Sequence, residues 1–305
     1  MQTTQNAVFT HIKRLPVLDE LQGSWFAIAA LVISCTIWGT AFAFGKLALE
    51  ALTVSQLVLL RFGLASLALL PIILIKRAWV QRKDLPRFLL TGFLAVPVTF
   101  LLQFQGLALT TIARASLIIG AIPPLLALGA AVFLEERPRR RGWAAIAASV
   151  LGVVVIVGTP GEGGSWAGDG LVFISCLISV VWVIMNKRLN ERYTAPIATT
   201  YLLSFGTLTL APITLLQDGL PSFNLPISVW TSVIILGVFC TALAFVLWNW
   251  GLERVPASTA GVYLNLEPLI GALLGVTLWH DTLGPGVILG GALIIGAALV
   301  ATQTK

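Results

Sequence analysis

The chain has 305 residues, 57% of them hydrophobic and only 10% charged, with a mean hydropathy of +0.94 and a formal net charge of +6. A soluble domain carries about 25% charged residues, so a globular fold of this composition would leave too much apolar surface in water. The three cysteines, Cys35, Cys176 and Cys240, lie in apolar runs and form neither a disulfide framework nor a metal-ligand spacing.

Ten apolar segments follow in chain order: 25–47, 53–75, 88–109, 112–134, 142–158, 170–189, 197–216, 228–250, 257–279 and 286–302. Hydrocarbon cannot satisfy free backbone N–H and C=O groups, so runs of this length are expected to be helices. The first run is too long for a cleaved signal peptide, and similar runs continue to the end. The expected fold is an all-α integral membrane protein. Residues 1–24 form a tail ahead of the first span. The longest connection, 159–169, is rich in Gly and carries no Lys or Arg.

Basic residues test this division. Alternate connections and tails hold Lys13, Arg14, Lys76, Arg77, Arg82, Lys83, Arg87, Arg137, Arg139, Arg140, Arg141, Lys187, Arg188, Arg192, Arg254 and Lys305, which is 16 of the 19 Lys and Arg residues. By the positive-inside rule this face is cytoplasmic, and with ten spans both termini lie there. The run around Arg139 reads as a topology signal that meets anionic lipid headgroups, and no nucleic-acid partner is expected. Three basic residues do not fit the pattern: Lys46 and Arg114 near span ends on the opposite face, and Arg61 inside the second span.

The chain also repeats itself. At an offset of 141, Ile33, Ser34, Cys35, Ile37, Lys46 and Glu50 recur as Ile174, Ser175, Cys176, Ile178, Lys187 and Glu191. At an offset of 145, Gly106-Leu107 matches Gly251-Leu252, and Pro123 matches Pro268. These matches divide the chain into two five-helix halves, 25–158 and 170–302, joined by 159–169. Five is odd, so the second half would be inverted relative to the first, which also sends Lys46 to the face opposite Lys187. Inverted repeats are characteristic of alternating-access carriers.

With the repeat in place, the sequence resembles the drug/metabolite transporter superfamily, in its ten-helix EamA-type branch. The resemblance is carried by Trp38-Gly39, Arg61-Phe62, Pro123, Pro268 and the acidic residues closing the fourth and ninth helices, Glu135-Glu136 and Asp281. His280-Asp281 departs from the Gly-Glu usual in the family. The resemblance implies ten helices in two inverted repeats around a central cavity lined by helices 1, 3, 4, 6, 8 and 9, with helices 5 and 10 as buttresses. It also implies export of amino acids, drugs or other metabolites across a bacterial inner membrane, and the chain is similar to aromatic amino acid exporters of that branch.

The candidate site residues follow from depth and chemistry. Of thirteen acids, only Glu267 falls near mid-span, followed by Pro268. A carboxylate there is a candidate for proton coupling or for a substrate amine, or else a structural acid serving backbone groups freed by the proline. Pro123 and Pro268 kink helices 4 and 9 at equivalent depths, either as gating elements or as fixed bends. Trp38, Gln103, Trp182, Asn186, Tyr263 and Asn265 supply aromatic rings and amides on the lining helices. Trp248 and Trp250 read as an interfacial belt. Arg61, about 12 Å into helix 2 at 1.5 Å per residue, reads as a snorkelling or structurally paired arginine. The Gly271/Gly275, Gly286/Gly290 and Ala144/Ala148/Gly152 faces read as packing within a monomer.

The expected function is therefore a secondary transporter of small molecules that needs no cofactor or metal. Drugs or other metabolites are the alternative cargo. A P-loop and an HExxH motif are both absent, and His11 and His280 lie outside the spans. This argues against an ATPase or an intramembrane enzyme, and the repeat argues against a channel.

Overall fold

The computed structural model describes residues 16–133, 140–159, 164–222, 224–252, 254–255 and 263–303. The described residues are helical with no strand, and the helices are α1 (Pro16–Ala48), α2 (Val54–Lys76), α3 (Arg82–Leu109), α4 (Ile112–Phe133), α5 (Arg140–Gly158), α6 (Trp166–Asn190), α7 (Ala195–Gln217), α8 (Ile227–Leu252), α9 (Leu266–Leu278) and α10 (Pro285–Gln303). Eight of them, α1 to α8, are long and apolar enough to cross a membrane, whereas α9 and α10 give shorter apolar stretches. The start of the expected ninth span (257–262) and the Glu135-Glu136 corner lie outside the described residues.

The outer surface is apolar: Leu67, Ile75, Leu216 and Ile227 are all exposed, as are many other large aliphatic side chains. Polar residues are instead buried, among them Ser34, Arg61, Thr99, Arg114, Asp169 and Thr241. A surface of this kind is stable in lipid and not in water. The protein is a multi-pass membrane protein.

Local sequence accounts for the helix ends. Thr53 and Gln56 form a capping box at the start of α2. Thr111 caps α4 and Ser165 caps α6 through their side-chain oxygens. Prolines set the interruptions. Pro123 and Pro124 lack N–H groups, and α4 is broken by a turn at Gly120-Ala121 just before them. A turn at Leu264-Asn265 likewise precedes α9 and Pro268, with Glu267 N–H bonded to Leu264 O in a tighter i−3 turn. The two breaks meet: a Cβ on Gly120 would lie 3.2 Å from Pro268 Cγ. Helices α3 and α8 each contain a π-helical stretch, Leu94–Val98 and Ile235–Leu243. In each, a threonine hydroxyl donates to the carbonyl five residues back, Thr99 to Leu94 and Thr241 to Leu236, both at 2.8 Å.

Helices pair as α1 with α8 and α9, α2 with α7 and α8, α3 with α6 and α7, α4 with α9, and α5 with α10. Glycines set several close approaches. A Cβ on Gly106 would meet Gly168 O and Val172, and one on Gly251 would meet Ala27 O and Leu31. One on Gly92 would meet Leu202 O and Phe205, and one on Gly237 would meet Arg61 O and Leu64. Gly152 and Gly290 each abut the other's carbonyl, and Gly271 packs on Ser116, so these small faces are used inside the chain.

The exceptional basic residues are all engaged. Lys46 donates to Leu107 O at 2.8 Å and Thr110 O at 3.0 Å, neutralising the carbonyl end of α3. Arg114 is fully buried and salt-bridged to Asp169, which also accepts from Thr110 Oγ1 at 2.7 Å. His280 takes a left-handed φ of +56°, a conformation that glycine adopts without cost. The next residue, Asp281, ties this corner to α4, where its Oδ2 accepts from Ala113 N–H at 2.8 Å.

Candidate functional site

Arg61 organises the centre. Its side chain does not snorkel: the residue is 5% exposed, and its guanidinium carbon lies 5.1, 5.0 and 5.5 Å from the ring centroids of Phe62, Phe100 and Phe104. Nε donates to Thr241 Oγ1 at 3.0 Å. The π stretch of α8 makes this geometry, because the hydroxyl that accepts from Arg61 is the one that donates to Leu236 O. π turns recur at functional sites, where they re-aim side chains.

Next to Thr241, Cys240 ties α8 to α1, with Sγ 3.4 Å from Ile37 O and 3.6 Å from Thr40 Oγ1. Trp38 then begins an aromatic wall. Its ring centroid is 5.3 Å from that of Phe245 in an edge-to-face contact and 5.5 Å from that of Trp248. Trp248 thus joins this wall, while Trp250 is exposed and stacked under Arg254. Gly39 lets α9 approach α1, since a Cβ there would sit 3.0 Å from Glu267 O.

Glu267 is half-buried and makes no hydrogen bond or ion pair among the described residues. It lies within electrostatic reach of Arg61 and of all three cysteines, Cys35, Cys176 and Cys240, which come from α1, α6 and α8. Residues of α1, α2, α3, α6, α8 and α9 therefore converge on one region.

The other expected residues divide into groups. Gln103 is half-buried one turn beyond Phe100 on α3, while Gln105 faces outward. Trp182 Nε1 and Asn186 Oδ1, four residues apart on α6, are buried without a hydrogen-bond partner. Such groups are costly unless water or a ligand satisfies them. Tyr263 is half-buried and Asn265 buried, at the break preceding α9. Pro123 and Pro268 stand at the two helix breaks. Sequence reasoning named Glu267 and Trp38, which lie on helices that converge here, and read Arg61 as a snorkelling or structurally paired arginine, but it did not name Thr241, Phe100 or Phe245. The signal for these was weak, because a Thr or Phe in an apolar helix looks like packing.

A groove of about 600 Å³ runs between α5 and α10, lined by Ala144, Ala148, Ala292, Gly296 and Val300, with Arg141 among its lining residues. Its lining includes none of the residues gathered around Arg61 and Glu267.

The EamA-like transporter family model matches twice, over residues 25–158 and 166–303. An uncharacterized transporter of Archaeoglobus fulgidus is 28% identical over 265 residues, covering 87% of this chain and 94% of that protein. A "Probable terminal-alkyne amino-acid exporter" of Streptantibioticus cattleyicolor is 29% identical over 286 residues, covering 91% and 94%. A biotin transporter of Escherichia coli (strain K12) is 26% identical over 279 residues, covering 89% and 91%. A crystal structure 21% identical in sequence superposes with a TM-score of 0.62 over 92% of this chain and 96% of its own, a likeness of fold alone. The two matches of the family model together span most of the sequence, and the chain belongs to the EamA-like transporter family.

Proposed function

We propose that this protein is an alternating-access secondary transporter of ten membrane spans, built as two inverted five-helix repeats (25–158 and 170–302, joined by 159–169), that exports amino acids or related small metabolites. It sits in the bacterial inner membrane with the 1–24 tail and the C-terminus in the cytoplasm. The helix contacts support the repeat. Adding 141 to Ala27 and Leu31, which meet Gly251, gives Gly168 and Val172, which meet Gly106, while Gly106 and Gly251 themselves differ by 145. The same offsets carry Arg61 and Leu64 against Gly237 onto Leu202 and Phe205 against Gly92. Ser66 and Thr207, also 141 apart, touch each other at 3.3 Å through their hydroxyls, as residues on a pseudo-two-fold axis must.

The single observation that carries the transport reading is the central site, where a deep cation, a deep acid and an aromatic wall are gathered from helices of both halves. Pro123 and Pro268, at breaks that touch, supply bendable elements beside it. Trp38, Gln103, Trp182, Asn186, Tyr263 and Asn265 are proposed as substrate contacts, and Glu267 as the coupling group. Kinship with an amino-acid exporter supports amino acids as cargo. Kinship with a biotin transporter supports a ring-bearing monocarboxylate as the second reading.

The test is uptake of a radiolabelled amino acid panel, including Phe and Thr, and of biotin into proteoliposomes with and without a proton gradient. Saturable uptake competed by unlabelled solute is expected, and its absence for every solute would overturn the reading. Glu267→Gln removes a charge without breaking a hydrogen bond among the described residues, so the variant is expected to melt like the wild type. Its gradient-driven uptake should fall roughly tenfold or more, the worth of one charge-assisted contact. Trp38→Ala is expected to raise the KM roughly 2- to 12-fold, since one aromatic contact is worth about 0.5–1.5 kcal/mol. Wild-type kinetics in either variant would remove that residue from the site.

A further inference from the structure

Arg61 and Glu267 are opposite charges that do not close on each other. Elsewhere in the same interior, Arg114 and Asp169 form a sealed salt bridge. In a low-dielectric setting the attraction between two nearby charges is strong, and direct pairing is the usual outcome. Here each charge is held where it stands. Arg61 is fixed by Thr241 on one edge and by three phenyl rings around its plane. Glu267 is fixed through its backbone, where Gly39 admits α9 against α1 and Pro268 follows immediately.

Each also has unused bonding capacity. A guanidinium carries five N–H donors. Only Nε of Arg61 is bonded among the described residues, and Nη1 and Nη2 are not among the interior's sealed, unpartnered atoms. Aromatic faces stabilise the charge but accept no in-plane hydrogen bond, so the fork formed by the two Nη atoms is left for a planar acceptor. The Glu267 carboxylate accepts no hydrogen bond among the described residues. Between them, Cys240 and Thr241 on α8 join the Arg61 end to the Trp38 end, where Phe245 and Trp248 complete an aromatic wall.

We propose that Arg61 and Glu267 are the two poles of a zwitterion clamp, the guanidinium fork taking the carboxylate of an α-amino acid and the Glu267 carboxylate taking its ammonium group. The substrate's side chain lies against the Trp38–Phe245–Trp248 wall. This rests on the amino-acid reading above and deepens it. The clamp rejects a solute with one charge missing, because the opposite pole is then left buried and unpaired. Lysine is no substitute at position 61, since a point charge makes no bidentate fork and sits differently against the rings.

The experiment is ligand-induced thermal stabilisation of the purified protein, titrated with phenylalanine, its decarboxylated amine and its deaminated acid. It is repeated for Arg61→Lys and Glu267→Gln. The wild type is expected to bind the amine and the acid roughly 10- to 100-fold more weakly than the amino acid, the loss from one missing charge-assisted partner. Arg61→Lys should close the gap between amino acid and amine while keeping the gap to the acid, and Glu267→Gln should do the reverse. Equal binding of all three by the wild type, or wild-type selectivity in either folded variant, would overturn the clamp. Should a variant fail to fold, the ranking in the wild type decides. Transport of biotin without response to any amino acid would overturn the clamp and leave the carrier reading standing. No transport of any solute would overturn the carrier reading itself.

Discussion

Asp169→Ala is expected to destabilise the protein by about 3–5 kcal/mol, the cost of leaving a buried charge without its partner. Asp169 is sealed from solvent and receives Arg114 Nε at 3.0 Å as well as the Thr110 hydroxyl. Nη2 of Arg114 also donates to Asp169, and the guanidinium reaches two backbone carbonyls as well, Thr159 O from Nη1 at 2.8 Å and Ile156 O from Nη2. Removing the acid therefore leaves the guanidinium with backbone dipoles but no counter-charge. A large drop in melting temperature and in folded yield should follow, measured on the detergent-solubilised protein. The double variant Arg114→Leu/Asp169→Leu should recover a good part of the loss, because replacing a whole buried pair by apolar groups is tolerated better than breaking it. A single variant that melts like the wild type would show that the pair is solvated.

Gly92→Leu and Gly237→Leu are expected to destabilise by similar amounts, each about 1–3 kcal/mol or more from overpacking. A Cβ at position 92 would fall 2.6 Å from Leu202 O and 2.8 Å from Gly206 N, and one at position 237 would fall 2.8 Å from both Arg61 O and Leu64 Cβ. These neighbours are largely backbone and cannot swing aside. A Cβ on Gly158 or Gly296 would meet nothing within 4 Å, so Gly158→Ala and Gly296→Ala should be close to neutral. The transport readout should separate the first two variants. Gly237→Leu pushes on the backbone of Arg61 and should impair transport beyond its effect on folded yield, whereas Gly92→Leu should track yield alone. Equal transport per folded molecule in both would detach Arg61 from the transport site.

The sequence by itself determined the membrane class, because a chain with so few charges has only one solvent in which its surface is stable. It determined most helix positions, since an apolar run long enough to span lipid must satisfy its own backbone. α2, α4 and α5 begin and end within a few residues of the apolar runs, whereas α1 and α3 start several residues earlier, at Pro16 and Arg82, because a helix need not stop where hydrophobicity does. The offsets of 141 and 145 were legible too, as was Glu267 as the acid that stands within an apolar segment. The tertiary structure alone decided the partners. Whether Arg61 reaches for the interface or turns inward depends on three phenyl rings and a threonine, two of the rings and the threonine lying far away in sequence on α3 and α8. Trp248 reads from the sequence as a boundary residue, and only the structure brings Trp38 of α1 against it. Periodicity reports how much of a helix is apolar, but in lipid an outward face and a packed face are equally apolar. The pairing of faces is settled instead by small residues and buried polar atoms, whose complementarity exists only once both helices are in place.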